Sequence, residues 1–240
     1  GYSRPATYQL SRKWLDMAVL YPPPSPGSIV RNRQCPFIEL RGHDGKMLSQ
    51  TNHHELSLWQ KRLTAYDDSI QRHIFECLGA RLDPALFSLT RIFSRSSYDK
   101  GGRYYSAFQQ WPSLKRQQLT IDGQPVVEID YKSLHPSLLY QEVGLQCPQD
   151  SYTISGFDRS TVKRAFNILI NRSKPDECWR SFGYFLGLKK EPAMVLENAH
   201  RTLHRPIERF FGTGKGLELQ HYDSLLCEAV IDYMMTQANS

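Results

Sequence analysis

The 240-residue sequence predicts an α+β fold, with a small antiparallel sheet, a mostly helical region and a mixed N-terminal part. Three observations predict it. Short apolar runs bounded by turn signals at 35–50 and 119–131 read as β-hairpins. Helical periodicity recurs over 55–80, 159–171, 176–187, 192–211 and 217–235. Forty per cent of residues are hydrophobic and 22% charged, an ordinary globular balance able to bury a core.

Residues 1–34 are rich in Pro, Ser and Arg, and Pro22-Pro23-Pro24-Ser25-Pro26-Gly27 marks an extended arm. A mixed region follows over 35–118. Its first hairpin joins Phe37-Ile38-Glu39-Leu40 to Lys46-Met47-Leu48 through His43-Asp44-Gly45. Residues 55–80 place Leu56, Leu58, Trp59, Leu63, Ile70, Ile74 and Leu78 at helical spacing, with Gly79 near the end. A strand is expected over 86–93, then a glycine turn at Gly101-Gly102 set among basic and aromatic residues. In 119–150, Leu119-Thr120-Ile121 and Val126–Tyr131 are expected to pair through Asp122-Gly123, and a helix to run from Ser133 to Val143. Residues 151–211 read as helical, with Pro192 near a helix start and Pro206 a break. Gly212–Gly216 reads as a flexible basic loop, and 212–240 as a last helix with its approach.

No window is apolar for the roughly 18 residues that a membrane span needs. The five cysteines, at 35, 77, 147, 178 and 227, are odd in number and contain no C-x-x-C pair. They fit free thiols in a reducing compartment, so a cytoplasmic location without a membrane partner is expected. The net charge of +6 suits a polyanionic partner. Residues 159–215 carry twelve Lys/Arg against five Asp/Glu, and residues 91–118 carry six against one. In the latter, Tyr98, Tyr104, Tyr105, Phe108 and Trp111 interleave with the cations. That mixture suits a nucleic-acid groove, cations tracking phosphates and rings stacking on bases; solvated surface over core aromatics explains it too.

Two segments carry candidate chemistry. In Val126-Val127-Glu128-Ile129-Asp130, strand period two places Glu128 and Asp130 on one face, where carboxylates can hold Mg²⁺. On spacing alone a solvated edge strand explains the pair as well. On a helix over 159–171, Arg159, Lys163 and Asn167 share one face, while Val162, Phe166, Leu169 and Ile170 form the docking stripe. Two cations one turn apart suit a triphosphate; a solvated basic face has the same spacing. His200-x3-His204 lacks the further ligands of a metal site.

Asp130-Tyr131-Lys132-Ser133-Leu134-His135-Pro136-Ser137 resembles motif A of template-directed polymerases, closest to the family B form D-(F/Y)-x-S-L-Y-P-S, with His135 replacing its Tyr. Arg159-x3-Lys163 resembles motif B of family A DNA polymerases and of phage-type single-subunit RNA polymerases, and Lys163-x3-Asn167 the family B form. Ile170-Asn171 stand where Tyr-Gly is usual. Gly101-Gly102-Arg103-Tyr104-Tyr105 and Gln109-Gln110-Trp111-Pro112 are similar to blocks in a group of bacterial polymerase-like proteins. The resemblance covers about 85–235. It implies a palm segment at 119–150 and helical fingers at 151–211. Asp130 becomes the ligand of the two catalytic metal ions, Mg²⁺ or Mn²⁺, with the Tyr131 carbonyl a further contact, and Tyr131, Arg159, Lys163 and Asn167 the nucleotide-binding set. Arg103, Tyr104, Tyr105 and Gln220 would contact a primer-template or single strand.

The second palm carboxylate, motif C, has two readings. Asp223, in His221-Tyr222-Asp223-Ser224, is that ligand, catalytic and metal-binding with Asp130. Alternatively 217–235 is one helix, packed through Leu219, Tyr222, Leu226, Val230 and Tyr233, with Gln220 and Asp223 toward the cleft. Motif C would then begin beyond Ser240, and the chain as it stands would be inactive. The resulting expectation is a polymerase-like nucleotidyltransferase using nucleoside triphosphates. A catalytically degenerate nucleic-acid-binding module and a protein-interaction domain are the alternatives.

Overall fold

The computed structural model describes residues 37–237, which belong to one compact unit; the expected arm at 1–34 lies outside the described residues. The fold is mixed α+β, and the described residues form two four-stranded sheets rather than one.

The first sheet has the order β2-β1-β5-β6. β1 (Ile38–Arg41) and β2 (Met47–Leu48) form the expected antiparallel hairpin. β5 (Thr90–Ser94) pairs parallel to β1 and antiparallel to β6 (Ser97–Tyr105), so this sheet is mixed, not antiparallel throughout. Ile38, Leu40 and Phe93 face α1 (Leu56–Ile70), whose Trp59 and Leu63 complete the cluster. The helix stops at Ile70. Gly79 instead turns β3 (Phe75–Cys77) into β4 (Ala80–Arg81).

Gly101 and Gly102 are not a hairpin turn. They sit at positive φ inside β6, where the register with β5 shifts between Ile92 and Ser94. Such a bulge re-aims the strand, and the crowding at Gly102 shows why glycine is needed. A Cβ there would lie 2.8 Å from Phe93 Cε1 and 3.1 Å from Ser224 Oγ.

The second sheet, β4-β3-β7-β8, is antiparallel. β7 (Leu119–Ile121) and β8 (Gln124–Pro125) turn at Asp122-Gly123 as expected. The long arm expected over Val126–Tyr131 does not form. β7 has only three residues and is preceded by a short helix, α2 (Ser113–Arg116), so nothing is left for the arm to pair with. The last ladder contact is Val126 N–H to the Leu119 carbonyl at 3.4 Å, and Val127 and Ile129 are 83% and 90% exposed.

The helical part begins with α3 (Leu134–Glu142). α4 (Arg159–Asn171) has the expected bounds, because Asp158 caps it by accepting from Thr161 N–H and its buried stripe is Val162, Ala165, Phe166, Leu169 and Ile170. α5 (Trp179–Leu186) and α6 (Lys190–Leu203) pack against it, and a 3₁₀ turn over Arg205–Phe210 breaks the chain at Pro206. Phe166 is fully buried among Tyr152, His200, His204 and Phe211, where a side chain of its kind contributes roughly 1.5–3 kcal/mol. Gly212–Gly216 is a packed turn rather than a free loop, with Lys215 held by Glu142 and Glu218.

α7 (Gly216–Gln237) crosses β6 and joins the first sheet to the helical part. Leu219 is buried as expected, but beyond it the docked face is not the apolar stripe. Ser224 is buried, Cys227 and Ile231 are partly buried, and Glu228 faces inward, whereas Tyr222, Leu226, Val230 and Tyr233 are exposed. The reason is Arg91. Fully buried on β5, it stacks on Trp59, Phe93 and Tyr104 and donates to the Gly102 carbonyl (3.0 Å), Glu228 (2.7 Å) and Ser224 (3.3 Å). A buried cation needs an anion more than a leucine, so it turns Glu228 inward.

A candidate nucleotide cleft

α4, α7 and the segment before α3 enclose an open cleft of about 370 Å³. Asp130 and Tyr131 reach it from the unpaired segment, and Ser133, Leu134 and His135 from the start of α3. Lys163, Asn167 and Asn171 reach it from one face of α4, Gln220 and Asp223 from α7, and Arg103 from β6. Of the ten residues the sequence nominated, seven meet here: Asp130, Tyr131, Lys163, Asn167, Gln220, Asp223 and Arg103. Gly216 allows the close approach of α7 to α4, since a Cβ there would overlap the Asn171 side chain at 2.2 Å.

The other three lie elsewhere. Arg159 sits at the rim, 5.3 Å over the Tyr152 ring and 3.7 Å from Asp150. Tyr105 is exposed, outside the cleft lining. Tyr104 points to the opposite face of β6, is 7% exposed, and donates to Glu228 at 3.3 Å; a ring so buried cannot stack on a base. Within the expected basic and aromatic groove over 91–118, Arg95, Lys100 and Lys115 are exposed. Arg91 and Tyr98 are in the core, and Arg116 is engaged by Glu128.

The electrostatics centre on Arg103. Its guanidinium lies 2.5 Å from the Asp223 carboxylate and donates to His135 Nε2 at 3.1 Å. That bond makes Nε2 the acceptor. Burial, and then Arg103 itself, lower the His135 pKa, so the ring stays neutral. Arg103 Nε and Ser133 Oγ are buried without a hydrogen-bond partner among the described residues, and Ser133 holds a left-handed backbone at φ 53°. Asp130 and Lys163 form no ion pair among the described residues. Glu128 does not stand beside Asp130 as a second ligand, because Arg116 holds it in a two-bonded fork.

Ser133, His135 and Asn171 were not singled out as site residues from the sequence. Their signals were present: Ser133 and His135 follow Asp130 closely, and Asn171 continues the four-residue spacing of Arg159, Lys163 and Asn167.

His200 and His204 are fully buried in the helical core. Burial pushes His200 down to about 3 and lowers His204, whose Nε2 lies 2.9 Å from the Ser151 carbonyl. Among the described residues no cluster of three His, Cys, Asp or Glu could hold a metal, and no helix is long and apolar enough to cross a membrane. Cys77, Cys147, Cys178 and Cys227 are free thiols.

Comparison with protein-family models, with curated proteins and with solved structures gives no match.

Proposed function

We propose that the chain is a polymerase-like nucleotidyltransferase acting on nucleic acid with nucleoside triphosphates and Mg²⁺ or Mn²⁺. The observation that carries the reading is the convergence on one cleft of Asp130, Lys163, Asn167 and Asp223, from three separate segments. Lys163, without an ion partner among the described residues, is placed to neutralise a triphosphate, and Asn167 and Asn171 line the same helix face beside it. Arg159 reaches the phosphates by exchanging its long contact with Asp150. Arg103 Nε and Ser133 Oγ are polar groups that a bound nucleotide would satisfy.

The two carboxylates suit Mg²⁺ in the form it takes beside phosphates, with one or two protein oxygens and the rest from water and substrate. They do not form a closed cage for a resident ion. When bound, the metal supplies charge stabilisation to the attacking and leaving oxygens of an in-line displacement. Asp130 is the carboxylate free to meet it, and Asp223 must first release Arg103. The nucleic-acid strand would lie along the cleft beside Gln220.

One observation favours a second reading, a degenerate nucleic-acid-binding module without chemistry: Arg103 already neutralises Asp223. Asp130→Asn separates the two. Template-directed incorporation that Asp130→Asn abolishes, with oligonucleotide binding retained, supports the enzyme. Oligonucleotide binding by both proteins without incorporation by either supports the module.

A further inference from the structure

The cleft's free carboxylate belongs to a segment that has no sheet to hold it. Val126 makes the last ladder contact, and α3 begins at Leu134. Between them Val127, Ile129 and Tyr131 are 83%, 90% and 55% exposed, so packing does not fix the segment either. Among the described residues one side-chain hydrogen-bonded tether crosses to it. Arg116, at the end of α2, donates from Nε to Glu128 at 3.1 Å and from a terminal nitrogen at 2.6 Å, while its other terminal nitrogen donates to the Trp111 carbonyl at 2.6 Å. All three branches of the guanidinium are used, and the fork orients as well as attracts.

We propose that Arg116, through Glu128, is the positioning residue that sets Asp130 in the cleft to meet the metal. The proposal rests on the metal-dependent reading above. Glu128 lies two residues before Asp130, so tethering its carboxylate restrains the short stretch of chain on which Asp130 is carried. Lys163, Asn167 and Asp223 stand on helices to which Arg116 makes no hydrogen bond or ion pair among the described residues. Loss of the fork therefore weakens metal binding while leaving triphosphate affinity nearly unchanged.

The test uses the full chain and two readouts besides activity. The first is Mn²⁺ binding, followed by loss of the free-ion paramagnetic resonance signal, for the unaltered protein, Asp130→Asn, Arg116→Ala, Glu128→Gln and the exchange Arg116→Glu/Glu128→Arg. The second is the rate of tryptic cleavage after Lys132, which reports whether the segment is held.

Arg116→Ala and Glu128→Gln are expected to weaken Mn²⁺ binding by about two- to five-fold, the most that an ion pair with a 53% exposed carboxylate can transmit. Both should speed cleavage after Lys132, and the charge exchange should recover part of each effect. Unchanged Mn²⁺ affinity in Arg116→Ala overturns the proposal, whether or not cleavage accelerates, provided that Asp130→Asn loses the ion. If the unaltered chain binds no Mn²⁺, or Asp130→Asn binds it equally, the metal reading itself falls and takes this role of Arg116 with it.

Discussion

Arg91→Met should destabilise the fold more than any change at the surface. Arg91 is 0% exposed and makes three hydrogen bonds, to Gly102, Ser224 and Glu228. Methionine keeps much of the volume and the stacking on Trp59, but leaves the Gly102 carbonyl unanswered. Removing one partner of a buried ion pair costs about 3–5 kcal/mol. Glu228 retains Arg62, whose two nitrogens also hold Asp232, so the low end of about 3 kcal/mol applies. In a chain of this length that lowers Tm by roughly 6–12 °C. Asp232→Asn is the control: this carboxylate is 46% exposed, and its pair with Arg62 contributes only about 0–1 kcal/mol. Urea denaturation followed by tryptophan fluorescence measures both. Arg91→Met within about 0.5 kcal/mol of the parent would refute the claim that this cation holds α7 against the sheet, since that is the spread of neutral surface changes.

Other outcomes follow from the same geometry. Gly102→Ala must adopt a positive φ and press on Phe93, so it should cost at least about 1–2 kcal/mol of stability; equal urea midpoints would contradict the bulge. His200 titrates near 3 when folded, against a usual value of 6.5. Between those values the unfolded chain binds more protons, so stability falls as pH drops through that window, by up to about 1.4 kcal/mol per unit from this group. His200→Leu should therefore show a shallower loss between pH 6.5 and 4, and identical slopes would sink the assignment.

The sequence made some features legible and hid others for definite reasons. α4 was legible to the residue, because its cap and its apolar stripe are both local. Seven of the ten nominated residues meet in the cleft, because the four-residue spacing on α4 and the polar positions of α7 survive folding. Three features depended on distant partners. Gly101-Gly102 looks like a turn until β5 supplies the ladder that makes it a bulge. Val126–Tyr131 has every local mark of a strand, but β7 is too short to pair with it. Beyond the buried Leu219 the apolar stripe of α7 predicts the wrong face, because Arg91, more than 130 residues earlier, draws Glu228 inward. Tyr104 was lost for the same reason, its ring packing beside that cation.

The most direct test of the nucleotide cleft is calorimetric binding of a nucleoside triphosphate with Mg²⁺, comparing the unaltered chain with Lys163→Ala. Losing a charged hydrogen-bonding partner of the phosphates costs about 1.5–3 kcal/mol, so Kd should rise roughly 10- to 100-fold. Equal affinity in the two proteins, or no binding by either, would contradict the assignment of this cleft to a nucleotide.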